Sequence, residues 1–198
     1  MGKVGTGFSM SLDGFIAEPN DDVTRLFAWM GSGEHEVKLS TGDHDIDLKV
    51  SSESAEMFAD ASRSVGALIA GRRLFDVANA WAGKHPLNVP IVVVTHHVPQ
   101  EWVTPESIFT FVTDGVESAV KTAQEIAGEK SIAIASTTIV QQCLKLGLLD
   151  EIHIDLVPIL LNSGIRLFDH LDIEPVDLEI TSVIRAPDVV HLDFRVIK

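Results

Sequence analysis

The sequence predicts an α/β domain built on a mixed, mainly parallel central sheet flanked by helices, with an antiparallel hairpin at its C-terminal end. Two patterns predict it. From residue 53 to residue 147, short β-branched apolar runs alternate with stretches whose apolar residues recur at helical spacing, the signature of parallel strands joined by helices. From Glu151 onward the period changes to two, as in strands covered on one face. The 198 residues, 45% apolar and 22% charged, set the scale: one domain with a sizeable core.

In chain order, a first strand leads into Ser11-Leu12-Asp13-Gly14. Between Asp13 and Asp60 twelve acidic residues face only Arg25, Lys38 and Lys49. Residues 31–52, rich in Gly, Ser, Asp and His with little periodic apolar signal, predict a long acidic loop inserted into a single domain that spans residues 1–198. Residues 53–63 read as a helix, 65–70 as a buried strand, and 72–80 as a helix launched from Gly71. Residues 91–95 and 108–113 read as strands. Asp114 offers an N-cap with Glu117 three residues on, ahead of a stripe of Val116, Val120, Ala123 and either Ile126 or Ala127. Residues 131–135 return to strand, and a second amphipathic helix from Thr137 or Thr138 ends at Gly147. Ile152, Ile154 and Leu156 then alternate with Glu151, His153 and Asp155. Val176, Leu178 and Ile180 do likewise, as do Val190, Leu192, Phe194 and Val196, with Ala186-Pro187-Asp188 as the turn between the last two strands.

Composition removes several function classes. A formal charge of −14 repels phosphate backbones and anionic lipid surfaces, so neither nucleic acid nor membrane is an expected partner. No apolar run approaches the roughly 20 residues of a spanning helix. Cys143 is the only cysteine, which rules out a disulfide framework within the chain and a cysteine zinc site and leaves a reducing cytoplasm as the expected compartment. The chain has no tyrosine; a reductase mechanism with a phenol as proton donor is therefore excluded.

Nucleotide fingerprints fail as well. Gly5-Thr6-Gly7 and Gly31-Ser32-Gly33 lack the third glycine of G-x-G-x-x-G, and no P-loop occurs. Asp43-His44-Asp45-Ile46-Asp47 lacks the glycine and distal glutamate of a calcium loop; it reads as a solvated acidic segment, and no metal is expected. His96-His97 follows a strand end, where open α/β sheets place ligands, although the pair also reads as two surface histidines. Gly71-Arg72-Arg73 sits at a strand-to-helix junction suited to an anion, or serves only as a turn with two solvated arginines.

Taken in order, Ser11-Leu12-Asp13-Gly14-Phe15-Ile16-Ala17, Leu68-Ile69-Ala70-Gly71-Arg72-Arg73-Leu74-Phe75-Asp76, Pro90-Ile91-Val92-Val93-Val94-Thr95-His96, Gly147-Leu148-Leu149-Asp150-Glu151-Ile152 and Pro158-Ile159-Leu160-Leu161-Asn162-Ser163-Gly164-Ile165-Arg166-Leu167-Phe168 resemble the dihydrofolate-reductase-like superfamily. Within it the chain is most similar to stand-alone relatives of the riboflavin-biosynthesis reductase domain, the RibD C-terminal domain. The resemblance implies NADPH bound across the strand ends and hydride transfer from the nicotinamide to a small heterocyclic or conjugated acceptor. By position it implies Ser9, Ile16 and Ala17 along the nicotinamide, Gly71, Arg72 and Arg73 at the pyrophosphate and adenosine side, and Thr95 and His96 by the adenosine ribose and its 2′-phosphate. Arg72, Arg73, Lys84, His85, His96 and His97 would supply local positive potential in an acidic chain.

Two departures qualify that expectation. The family's Gly-Gly pair ahead of the second amphipathic helix is here Ala135-Ser136, whose Cβ atoms obstruct close approach. The following Thr137, Thr138 and Ile139 keep a helix N-terminus, with hydroxyls, available for phosphate. The acidic residue that dihydrofolate reductases carry on the first helix falls at Ala55, with Glu56 beside it; Glu56, Asp13 and Asp60 are the candidate acids, and folate is not the expected substrate. A deaminase half is missing, because its H-x-E and P-C-x-x-C motifs need more than one cysteine. The expected protein is an NADPH-dependent reductase, dimeric like its relatives through the C-terminal strands. The alternatives are a nucleotide-binding sensor without turnover, or a dimeric interaction module that docks a partner on its acidic segment.

Overall fold

In the computed structural model, which describes residues 2–169 and 171–198, β1 (Val4–Ser11) runs through the middle of an eight-stranded sheet. On one side it pairs in parallel with β8 (Ser131–Ala135), followed by β5 (Val65–Gly71), β6 (Ile91–Val94) and β7 (Phe109–Val112). On the other side it pairs in parallel with β9 (Glu151–Val157), after which β12 (Val190–Val196) and β11 (Leu178–Arg185) are antiparallel. The expected mixed sheet with its C-terminal hairpin is thus present.

Alternation along the strands decides what covers each face. Ala67 and Ile69 of β5 point to one side with Val92, Ile132 and Ile134, where α3 (Val116–Ala127) and α4 (Thr137–Lys145) bury Val120, Ala123, Ile139, Val140 and Cys143. Leu68 and Ala70 point to the other side, against Phe75 of α2 (Arg72–Val77). Parallel register carries this two-sidedness across the sheet: Val4 and Thr6 stand beside Ile132 and Ile134. Consequently Gly5, Gly7, Ser9 and Ser11 share the opposite face with Glu151, His153, Asp155 and Val157. Part of that face is covered by α1 (Ser52–Ser64), capped by the Ser51 hydroxyl accepting from the Ser54 amide, and by a third cluster around Leu26, Trp29, Val50 and Val189.

Three local expectations are corrected. Residues 31–52 are not a loop: β3 (His35–Ser40) and β4 (Asp45–Val50) form an antiparallel hairpin. Val37 and Leu39 alternate with exposed charges and oppose Leu48 and Ile46, and Val37, Leu48 and Val50 pack on the Trp29 cluster; five apolar residues among many acids suffice for a two-stranded ribbon once a core lies beneath it. The helix expected over 72–80 ends at Val77. It gives way to a left-handed turn in which Asn79, Ala80, Trp81 and Ala82 have φ between 46 and 51°, a conformation costing roughly 1–2 kcal/mol per residue. Against that cost stand the burial of Ala80, the edge contact of the Trp81 ring with His85 and the Gly42 amide donating to Trp81 O at 2.9 Å. Thirdly, α3 starts after Gly115 at φ 107° with no side-chain cap, so Asp114 does not cap it; Ala127, not the exposed Ile126, completes the buried stripe. Among the described residues no helix is long and apolar enough to cross a membrane.

The hairpin tip and the left-handed turn fit too closely for a side chain between them: an ideal Cβ on Gly42 would stand 1.8 Å from Ala82 O. Gly42→Ala is expected to detach the tip, with faster hydrogen exchange over residues 39–46 and 79–84 and a lower melting temperature. Exchange of the β1, β5 and β8 amides at a given temperature should change much less.

Candidate active site and a buried histidine–aspartate network

The helix that follows β5 packs on one sheet face and the helix that follows β8 on the other, so the carboxyl ends of these neighbouring strands form a topological switch point, where α/β sheets open a crevice. Gly71 and Ser136 face each other across it. A Cβ on Gly71 would lie 2.8 Å from Ser136 Oγ, so a larger residue there would have to turn the Ser136 hydroxyl aside. Above them stands the N-terminus of α4. Ser136 is its N-cap residue, with no side-chain cap bond; Val140 is the first amide to bond back, to Ser136 O at 2.9 Å. The amides of Thr137, Thr138 and Ile139 therefore have no helical partner, and the Ser136 and Thr138 hydroxyls lie 3.2 Å apart beside them. The Ile139 side chain itself is buried in the core. The described peptide bonds at Gly71 and Ala135-Ser136 are trans.

Both arginines after Gly71 already have partners. Arg72 Nε donates to Asp76 at 2.8 and 3.0 Å and its Nη1 to His97 O at 2.7 Å. Arg73 makes a two-point pair with Asp21 at 3.1 and 2.8 Å, reaching across to the segment after β2 (Phe15–Ala17). Thr95 is buried, its hydroxyl donating to His97 O and accepting from the His97 amide, whereas His96 is exposed. Burial pushes His85 down to about 4, so it is neutral near pH 7 and adds no positive charge to the region, contrary to expectation.

Of the candidate acids, Asp13 alone is built into the strand-end loops. Its carboxylate accepts from the Ser11 hydroxyl at 2.6 Å and from the Leu161 and Asn162 amides at 3.1 and 2.7 Å. The Ser11 hydrogen bond and, against a desolvation penalty, those amides hold its pKa at about 2. Leu12 N–H to Ile159 O, Leu167 N–H to Gly14 O and Arg166 to Asp13 O add to the latch, and β10 (Ile165–Arg166) pairs with β2 beside half-buried Ile16 and buried Ala17. The first and last motif segments, some 150 residues apart in sequence, are thereby one surface. Glu56 and Asp60 are exposed on α1, and Asp60 pairs with Arg63.

Ser9 belongs to a network that no sequence motif announced. It is buried, accepts from Trp29 Nε1 at 3.2 Å and donates to Asp155 Oδ2 at 3.4 Å. Asp155 Oδ1 in turn receives His153 Nε2 at 2.8 Å and His191 Nδ1 at 2.6 Å. The outer nitrogens are also held, His153 Nδ1 by Asp193 at 2.6 Å and His191 Nε2 by the Ser54 hydroxyl at 2.8 Å. Burial alone would raise the Asp155 pKa, but hydrogen bonds from the two histidines and their charges bring it to about 2. Burial opposes charge on His153 too, yet Asp155 and Asp193 raise it to about 9. The legible signal was His-x-Asp, present in both β9 and β12.

A family model, the RibD C-terminal domain, matches residues 3–192. The chain belongs to the RibD C-terminal domain family. No curated protein matches it in sequence. Among solved structures, a putative riboflavin biosynthesis protein from Shewanella sp. PV-4 aligns over 99% of both chains with TM-score 0.73 and 19% identity. The Thermotoga maritima diaminohydroxyphosphoribosylaminopyrimidine deaminase/5-amino-6-(5-phosphoribosylamino)uracil reductase aligns over 99% of this chain and 57% of its own, with TM-score 0.66 and 12% identity. Dihydrofolate reductase from Enterococcus faecalis, complexed with NADP(H), aligns over 99% and 97% with TM-score 0.58 and 10% identity. This RibD C-terminal domain therefore has the fold of reductases.

Protonating Asp13 should release the latch. Because its folded-state pKa lies below the ordinary value of 3.8, the contribution is present above about pH 4 and lost as pH falls through about 2. Asn162 amide protection should follow that window, and Asp13→Ala should remove the protection at neutral pH.

Proposed function

We propose that the protein is an NADPH-dependent reductase of a small heterocyclic or conjugated acceptor. The crevice between Gly71 and the α4 N-terminus carries this reading. Three amides without helical partners, two hydroxyls and a residue stripped of its Cβ suit a phosphate group held close to the backbone; the donor set therefore fits the pyrophosphate of a dinucleotide in spite of Ala135-Ser136. When bound, the cofactor supplies a hydride from its nicotinamide ring.

The chain's own residues bind and orient. Arg72, fixed by Asp76 and His97 O, keeps a guanidinium beside the crevice, and exposed His96 at the end of β6 suits a second phosphate. Asp13, held anionic, fixes the loop over the strand ends and does not act as the proton donor. With Asp60 paired to Arg63, protonation falls to solvent or to exposed Glu56.

The functional unit in this reading is a homodimer. On edge strand β11, Leu178, Ile180 and Val183 are 43, 63 and 59% exposed. The bulge at Thr181 keeps all three on the face of Val196, Phe194 and Leu192, beyond the cover of α3 and α4; such an apolar edge invites a second copy.

Titration with NADPH, read by nicotinamide fluorescence and energy transfer from tryptophan, should give micromolar binding that exceeds NADH binding. Arg72→Ala and His96→Ala should each weaken it by about tenfold or more, the scale of a charge-assisted hydrogen bond, and Ser136→Glu should abolish it. No binding at millimolar NADPH overturns the proposal and leaves the interaction module. Tight binding without turnover of any acceptor favours the sensor. Separately, Ile180→Lys with Val183→Lys should yield monomers in light scattering on a chain that otherwise elutes as a dimer.

A further inference from the structure

We infer that His153, Asp155 and His191 form a binding site for one borderline divalent transition metal ion of the Zn²⁺ class, apart from the crevice between Gly71 and the N-terminus of α4. The antiparallel register of β9 and β12 sets His191 opposite Asp155 and Asp193 opposite His153. His153 Nε2, Asp155 Oδ1 and His191 Nδ1 consequently converge, all within 4.8 Å of one another. Two imidazoles and a carboxylate are the donors that Zn²⁺, Co²⁺ or Ni²⁺ accepts, and a poor set for Mg²⁺ or Ca²⁺.

Convergence of ligand atoms alone would describe any hydrogen-bonded cluster. A second feature is the way the outer ring atoms are held. Histidines that ligate a metal pass their other ring N–H to a carboxylate or another acceptor, which fixes tautomer and ring orientation. Here the Asp193 carboxylate, which can only accept, does this for His153, and the Ser54 hydroxyl lies 2.8 Å from His191 Nε2, where it can do so for His191. With Nδ1–H of His153 donated to Asp193 and Nε2–H of His191 donated to Ser54, two ring lone pairs and Asp155 Oδ1 point to one place, where a single dication takes them as ligands. The protons displaced from the ring nitrogens pass to water.

Geometry and charge allow the exchange. Tetrahedral ligands at Zn–N and Zn–O bond lengths lie about 3.3 Å apart, so the 2.6 and 2.8 Å contacts need to open by roughly half an ångström, within the reach of small side-chain rotations. Asp155 Oδ2 is occupied by the Ser9 hydroxyl, leaving Oδ1 as a one-point ligand. The His153 side chain, 24% exposed, leaves the cluster open to solvent on the Gly7 side, from which an ion can enter. Asp155 and Asp193 together balance a double positive charge. The ion would brace β9 to β12 behind Ser9.

The test uses the full chain, stripped with chelator and without cofactor. Titration with Co²⁺ should produce visible d–d bands saturating at one equivalent, bleached by one equivalent of Zn²⁺, and Zn²⁺ should raise the melting temperature. His153→Gln should lose the bands while keeping the far-ultraviolet circular dichroism of the parent. Asp193→Asn, which keeps all three ligands, should weaken binding 10- to 100-fold and serves as the test if the first variant misfolds. His44→Gln, at the exposed His44–Asp43 pair, should change nothing. Absence of bands from the folded chain, bands that survive His153→Gln, or bands lost in His44→Gln would each overturn the assignment. Since no nicotinamide is present, a negative result here leaves the reductase reading standing, and the reverse.

Discussion

A carboxylate buried beside the central strand governs much of how this molecule is assembled. An ionised Asp155 cannot be taken out of water without partners, and its partners come from everywhere: Ser9 on β1, His153 on its own strand, His191 on β12. Through them the same charge reaches Trp29 and Ser54, and so fixes the short helical turn at residues 28–31 and the start of α1 against the sheet. Removing one member would leave another charged or polar atom unmatched in the interior, which is why such networks specify one arrangement rather than several.

The opposite design operates at the ends of β5 and β8. There the chain withholds side chains and caps: Gly71 has no Cβ to meet Ser136, and α4 begins without a capping side chain. Orphan helix amides are tolerated where water or an anion can satisfy them. In a chain of net charge −14 the nearby arginines are held by Asp76 and Asp21. These pairs are exposed and individually weak, yet they keep two guanidinium groups beside the crevice instead of dispersed in solvent.

Legibility in the sequence differs from element to element. Strands β5, β6, β8, β9 and β12 and helices α1, α3 and α4 were legible because burial on one or two faces writes itself into apolar spacing. The 35–50 hairpin was hidden by its acids: a ribbon needs only one apolar residue in two, and Val37, Leu39, Ile46 and Leu48 have no meaning until Trp29 lies beneath them. The left-handed turn at 79–82 contradicts the helical preference of Ala-Trp-Ala, so no local rule could foretell it; contacts with Gly42 and His85 decide it. At the site, Gly71, Ser136 and the α4 N-terminus were readable as a strand–turn–helix junction. Asp13 was readable as a residue of interest, but its bonding to the 161–162 amides was not.

By itself the sequence determined the class of fold, the order of its strands and helices, the family, and the absence of a phenolic acid, since each follows from residue type and local period. Tertiary structure alone decided which polar residues meet. Two His-x-Asp segments 38 residues apart look like the solvated faces of two ordinary strands until antiparallel register sets each histidine opposite the other's aspartate; a shift of β12 by one residue would turn His191 and Asp193 to the other face. Pairing across strands is set by how the whole sheet closes, and no single stretch of chain contains that information.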